Sequence, residues 1–127
     1  MPTRTLEAQV RHQPGVAVID LRGEINAFGE ATLNAAYADA ERQGNDPILL
    51  NFTNVDYINS TGIALIVGLL ARARKAHRSL LACGLSNHYI EIFEITRLVD
   101  FMTVFPDETS ALTSEVPLDA NQGTRQS

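Results

Sequence analysis

Apolar and polar residues alternate from Thr5 to Arg11 (T-L-E-A-Q-V-R), the period of a half-buried strand, and Gln13-Pro14-Gly15 supplies the turn that ends it. Val16 to Leu21 (V-A-V-I-D-L) resumes as a more apolar strand, and so short a connection predicts an antiparallel hairpin. Gly23-Glu24-Ile25-Asn26 breaks the pattern. From Phe28 to Gln43, Phe28, Ala31, Thr32, Ala35, Ala36 and Ala40 fall at helical spacings, and Gly44-Asn45-Asp46-Pro47 is a stop signal. Ile48 to Phe52 (I-L-L-N-F) reads as a short central strand followed by a polar loop in which Tyr57 and Ile58 pack inward. Ser60 to His77 is the longest helical stretch, and Leu80 to Cys83 is another buried strand. Asn87 to Thr96 predicts a third helix, Met102 to Phe105 an edge strand, and Asp107 to Leu112 a short last helix.

Strand, helix, strand, repeated twice, pairs strands in parallel through right-handed crossovers. The expected fold is therefore a single α/β domain over residues 1–113, with a mixed sheet of four or five strands. The first strand runs antiparallel to the rest, and the helices pack mainly on one side. The stretch 114–127 lacks the apolar residues to repay ordering and is expected to be a flexible tail.

Composition narrows the function. The 127 residues carry ten Lys and Arg against fifteen Asp and Glu, a net charge of -5, and the first 106 residues are close to neutral. Such a body offers no field for nucleic acid. The longest uninterrupted apolar run, Ile63 to Ala71, is far short of the ~20 residues that span a bilayer as a helix, and the N-terminus has no apolar signal core. A cytoplasmic protein with no membrane partner is expected. The single cysteine, Cys83, excludes an intrachain disulfide. Its apolar strand makes it a small hydrophobe rather than a nucleophile. His12, His77 and His88 show no metal-ligand spacing, and no glycine-rich phosphate loop is present. No cofactor, no metal and no catalytic constellation are expected: the chain reads as a binding protein, not an enzyme.

The informative segment is Asn51 to Gly68, N-F-T-N-V-D-Y-I-N-S-T-G-I-A-L-I-V-G. Asn59, Ser60 and Thr61 stand at the mouth of the long helix. Asn and Ser are residue types whose side-chain oxygens accept from the free N–H groups of a first turn, so Asn59 or Ser60 is its cap, and Gly62 lets the turn pack closely. The helix is apolar on more than one face. Ile63, Ile66, Val67 and Leu70 form one stripe, with Leu65, Gly68 and Leu69 beside it, and the excess meets either the fold or another protein. Arg72, Arg74, Lys75 and Arg78 read as a solvated end that complements the helix dipole.

Gly23 to Leu112 resembles the STAS domain, specifically the bacterial anti-anti-sigma (anti-sigma factor antagonist) family. That family's central pattern is Asp-Leu/Phe-Ser, a few residues, then Asp-Ser-Ser/Thr-Gly and an apolar run; here it is matched by Asn51-Phe52-Thr53 and Asn59-Ser60-Thr61-Gly62-Ile63. The upstream L-x-G-E-hydrophobic-D pattern is matched by Leu21-Arg22-Gly23-Glu24-Ile25-Asn26. Ile92 to Phe101 resembles the helix that ends in Thr-Gly-Leu, with Arg97 at the glycine, and Ser110-Ala111-Leu112 the closing segment.

The resemblance implies a regulator that binds an anti-sigma factor which is also a serine kinase, so freeing the sigma factor. The kinase supplies ATP and magnesium, and a PP2C-type phosphatase resets the modification. Carried onto this chain, the phosphoacceptor is Ser60, with Thr61 the neighbouring alternative. The partner-binding residues are Glu24, Asn26, Asn59, Ser60, Thr61, Gly62 and Ile63. Three positions where the family often has aspartate, 26, 51 and 59, carry asparagine, which keeps capping geometry and loses charge. A second reading makes the chain a non-phosphorylated docking or scaffold subunit of a transporter or signalling assembly. A third, ranked below both, has the loop and helix start hold a nucleotide or lipid.

Overall fold

A computed structural model describes residues 5–42 and 44–114, and the tail expected over 114–127 lies, from residue 115 on, outside them. Five strands form one sheet in the order β1 (Glu7–Gln13), β2 (Val16–Ile25), β3 (Ile48–Ile58), β4 (Leu80–Cys83) and β5 (Thr103–Phe105). β1 pairs antiparallel with β2, and every other pairing is parallel. The mixed sheet expected from the sequence is the one observed. The helices are α1 (Glu30–Glu41), α2 (Ser60–Lys75), α3 (Asn87–Ile95) and α4 (Glu108–Ser114), with single 3-10 turns at Ala27–Gly29 and Leu98–Asp100.

The apolar runs are continuous because β2, β3 and β4 are buried on both faces. One face presents Ala17, Ile19, Leu21, Ile48, Leu50, Phe52, Leu80 and Ala82 to α1, α2 and α3, which answer with Leu33, Tyr37, Ile66, Leu69, Tyr89 and Phe93. The other face presents Val16, Val18, Leu49, Leu81 and Cys83 to Ala111 of α4. Three helices cover one side and a two-turn helix covers part of the other, as the one-sided expectation requires.

Two strands run further than the sequence predicts. β2 continues through Gly23 to Ile25, and β3 continues past Phe52 to Ile58, where a break and a polar loop were expected. The register explains why. Asp20 pairs with Asn51 but Arg22 with Asn54, and Gly23 pairs with Val55 but Glu24 with Tyr57. β3 therefore carries two extra residues, bulges that destroy the alternation by which a strand is recognised.

Burial corrects four further expectations. Along α1 the buried face is Leu33, Ala36, Tyr37 and Ala40, while Phe28, Ala31 and Ala35, which the helical spacing placed on one stripe, are exposed. Tyr57 is half-exposed while Ile58 is buried, so only the second packs inward. The core stripe of α2 is Ile66, Leu69, Leu70 and Ala73, with Val67 turned to solvent. Arg78 is not a solvated helix-end cation. It is buried and donates to the carbonyls of Asp46, at 2.7 Å, and Gly44, tying down the turn between α1 and β3.

Candidate functional site

The carboxyl ends of β2 and β3 meet the N-terminus of α2. Asn59 is extended (φ -90°, ψ -177°), and its Oδ1 accepts the Gly62 N–H at 2.8 Å. The cap is thus Asn59, and the choice the sequence left open between it and Ser60 is settled. Ser60 is the first helical residue. It is exposed, and its hydroxyl makes no hydrogen bond among the described residues.

The helix mouth is fixed to the sheet from below. The Asn59 N–H donates to the Ile25 carbonyl at 3.2 Å. Gly62 lies so close to the same carbonyl that a Cβ would overlap its oxygen and come within 2.9 Å of Ile58 Cγ2. Only glycine fits there. Tyr89 of α3, buried, accepts the Ile58 N–H through its phenol oxygen at 2.9 Å. Sequence reasoning missed Tyr89, since nothing in the pattern of α3 distinguishes it from an ordinary core aromatic.

The residues expected to bind a partner come together, with different duties. Asn26 accepts the Phe28 N–H at 3.0 Å and caps the 3-10 turn that precedes α1. Glu24, half-buried, sits on β2 in register with Tyr57. Thr61 is exposed beside Ser60, and Ile63 is half-buried against the core. The same edge carries two exposed aromatics: Phe28 at 93% and Tyr57 at 52%. Neither was expected to face out.

Asn51 is not part of this site. It points to the second face of the sheet, where its Nδ2 donates to Asp20 Oδ1 at 2.9 Å and lies 3.5 Å from Glu108 Oε1. Its Oδ1 accepts from the Thr53 N–H and hydroxyl. Arg11 forks between the two carboxylates, 2.6 Å from each, which holds α4 to the sheet. The bonds from Arg11 hold the Asp20 carboxyl below the usual carboxylate range, and the two carboxylates hold Arg11 protonated. An aspartate at 51 would add a third carboxylate where an amide donor is needed.

The remaining reactive side chains are structural. Burial pushes the Cys83 thiol up to about 11, which suppresses the thiolate. His12 lies 3.6 Å from Asp39, His88 packs edge-on against Tyr89, and His77 takes a left-handed conformation after α2. Among the described residues no three His, Cys, Asp or Glu side chains converge as a metal site, and no helix is long and apolar enough to cross a membrane.

Comparison with known proteins places this geometry. The STAS domain model matches residues 7–111. The anti-sigma-B factor antagonist of Staphylococcus aureus is 31% identical over 86 residues, spanning 68% of this chain and 80% of that protein. Among solved structures, unphosphorylated SpoIIAA, an anti-sigma factor antagonist, superposes with a TM-score of 0.63 at 19% identity, covering 91% of this chain and 98% of that one. An anti-sigma factor antagonist from Mycobacterium paratuberculosis gives 0.66 at 20% identity over 87% and 93% of the two chains. The phosphorylated form of the Bacillus cell fate determinant SpoIIAA gives 0.66 at 21% identity over 85% and 98%. At these identities the solved structures speak for the fold, and the S. aureus relative and the domain match speak for the family.

Proposed function

Because the chain belongs to the anti-sigma factor antagonist family of STAS domains, we propose that it binds an anti-sigma factor serine kinase and is released when that kinase phosphorylates Ser60. A PP2C-type phosphatase restores the hydroxyl. The cycle runs in the cytoplasm, and the chain itself catalyses nothing.

The observation that carries the reading is the division of labour at the α2 mouth. Asn59 supplies the cap, so Ser60 Oγ is exposed and uncommitted. In the transfer, Ser60 Oγ attacks the γ-phosphorus of ATP, its proton passes to a kinase carboxylate, the bridging P–O bond breaks and ADP leaves. Nothing in the chain has to unfold for Oγ to reach the nucleotide. Thr61 is exposed one residue on and is the second candidate acceptor.

Phosphorylation adds about -1.5 to -2 charges. Within the chain these sit at the positive end of a helix dipole, which favours an anion by ~0.3 to 2 kcal/mol, so the fold tolerates the change. At the kinase the same charges meet the nucleotide phosphates and the carboxylate base that the reaction required at that point. Each like-charge pair at ~4 Å costs about 1 kcal/mol in water and about 4 at an effective dielectric of 20. The interface term outweighs the internal one, and every ~1.4 kcal/mol is tenfold in affinity. That the fold exists in both phosphorylated and unphosphorylated forms in SpoIIAA supports a switch without refolding.

The asparagines at 26 and 59 do not favour the scaffold reading, because each uses Oδ1 to accept a backbone N–H, which an aspartate would do equally. Incubation with the anti-sigma factor kinases of the source organism and ATP, followed by mass spectrometry, tests the proposal. A phosphate on Ser60, absent from Ser60→Ala, is the expected result. An unmodified wild-type chain, with every such kinase active on its own antagonist, overturns it.

A further inference from the structure

The backbone that carries Phe28 is tied down. Asn26 caps the turn that carries it, the Gly29 N–H closes on the Asn26 carbonyl at 2.9 Å, and Gly29 packs so tightly on Leu6 that a Cβ would come within 2.9 Å of its Cδ2. A rigid turn thus presents an aromatic ring that is 93% exposed. Tyr57 stands half-exposed on the adjoining strand, and the Asn59 N–H bond to the Ile25 carbonyl joins both strand ends to the helix that begins at Ser60. Rigid exposed aromatics are the side chains that dominate protein–protein binding energy.

Charge selects the occupant. The two segments that build this edge, residues 23–31 and 54–63, carry Glu24 and Glu30 and no Lys, Arg or His, and Arg22, in register with Asn54, is the one cation that flanks them on β2. A second copy docked on the same edge would set like charges against each other, and an anionic lipid surface would be repelled. The complementary surface is an apolar pocket rimmed by Lys and Arg.

Resting on the function proposed above, we propose that Phe28 and Tyr57 are the aromatic anchors by which the anti-sigma factor kinase holds this chain, in an apolar pocket with a basic rim, so that Ser60 is delivered to its nucleotide. The anchors bind and position; they take no part in phosphoryl transfer. The basic rim and the acidic, nucleotide-bearing centre are then separate zones of the partner surface. Attraction at the rim survives while a phosphate at the centre forces release.

The test uses the full chain and the purified kinase that phosphorylates the wild type, with binding by titration calorimetry and phosphorylation kinetics by radiolabel. Phe28→Ala is expected to weaken binding at least tenfold and to raise KM for the chain in proportion, with kcat unchanged. Tyr57→Ala gives a smaller loss, Phe28→Leu recovers part of it, and affinity falls as salt rises. Ile95→Ala, which removes another exposed apolar side chain (74%) at the far end of α3, is the control and leaves both constants unchanged. Melting curves of Phe28→Ala should match the wild type, since the ring is in water. Binding of Phe28→Ala within twofold of wild type, to a kinase that phosphorylates Ser60, overturns the anchor while leaving the switch intact. Phe28-dependent dimerisation in sedimentation, or Phe28-dependent binding to phosphatidylglycerol vesicles, overturns it in favour of those occupants. If no kinase modifies the wild type, the underlying function fails and the anchor with it.

Discussion

Removing the Asn59 side chain separates the cap from the acceptor hydroxyl. Asn59→Ala deletes the oxygen that accepts the Gly62 N–H at 2.8 Å and leaves that donor at the rim of the helix. Loss of an N-cap costs ~0.5 to 2 kcal/mol, about 1 in the middle of the range. A domain of this size loses ~3 to 5 °C of melting temperature per kcal/mol, so a fall of roughly 3 to 5 °C is expected. Ser60→Ala removes a hydroxyl with no intramolecular partner from an exposed first-turn position, and its cost should stay within about 0.5 kcal/mol. Asn59→Asp keeps the acceptor and places a charge at the positive end of α2, for a gain of ~0.3 to 1 kcal/mol near neutral pH. Urea titrations of the three variants, compared at constant m-value, measure these differences. The reverse order, with Ser60→Ala costing 1 kcal/mol or more and Asn59→Ala nothing, would mean that the serine is the cap. The hydroxyl assigned to the kinase would then be already engaged.

Gly62→Ala should be among the most damaging single changes, because its Cβ overlaps the Ile25 carbonyl; a loss of about 2 to 4 kcal/mol by urea titration is expected, and a loss below 0.5 would contradict the close approach of α2 to β2. Asn51→Asp replaces a donor to Asp20 with a third carboxylate, costing roughly 1 to 3 kcal/mol at pH 7, and the gap to wild type should narrow below about pH 5 as the cluster takes up a proton. Asp20 itself is depressed by Arg11, so its contribution is present above the unfolded-state value of about 4 and disappears as pH falls through the lower folded value; acid titration of wild type against Asp20→Asn should show the two converging only in that acidic window. Arg97 sits at φ 68°, a left-handed conformation natural to glycine, so Arg97→Gly should raise stability by about 0.5 to 1 kcal/mol even though its exposed pair with Asp100 is lost.

Where one physical constraint dominated, the sequence was legible. Val16 to Ile19, Ile48 to Leu50 and Leu80 to Cys83 are apolar on consecutive positions because both faces of the sheet are covered, and the short turn at Pro14-Gly15 fixed the antiparallel hairpin. Two constraints of equal strength made other residues illegible. Along α2, Ile63, Ile66, Val67, Leu70 and Ile66, Leu69, Leu70, Ala73 share the same spacing, and only the sheet decides that the second stripe faces inward. The stripe read through Phe28, Ala31 and Ala35 is displaced from the one that α1 buries, Leu33, Ala36, Tyr37 and Ala40, so Phe28 lies off the buried face and its ring points out. Arg78 has the composition of a solvated helix end, and only the carbonyls of Gly44 and Asp46 arriving from across the fold make its burial favourable.

The three asparagines show how a charge-bearing motif loses its charges without losing its shape. At 26 and 59 the functional atom is an oxygen accepting one backbone N–H, so amide and carboxylate are interchangeable in geometry and differ only in field. At 51 they are not interchangeable, because the second oxygen of an aspartate would occupy the place of the Nδ2 that donates to Asp20. Asn51 is therefore a consequence of the Arg11, Asp20 and Glu108 cluster that seats α4 on the second face, away from the mouth of α2. Asn26 and Asn59 stand at that mouth, and under the function proposed above they leave Glu24 and Glu30 as charges of the edge. Each of these lies to the side of Ser60 in sequence and neither is its immediate neighbour. A partner selected by such an edge must find its basic groups displaced from the acceptor hydroxyl, and Asn59→Asp should shift that preference toward kinases that place a cation directly beside the nucleotide. Competition between wild type and Asn59→Asp for two such kinases measures the shift, and equal partition would mean that position 59 contributes shape alone.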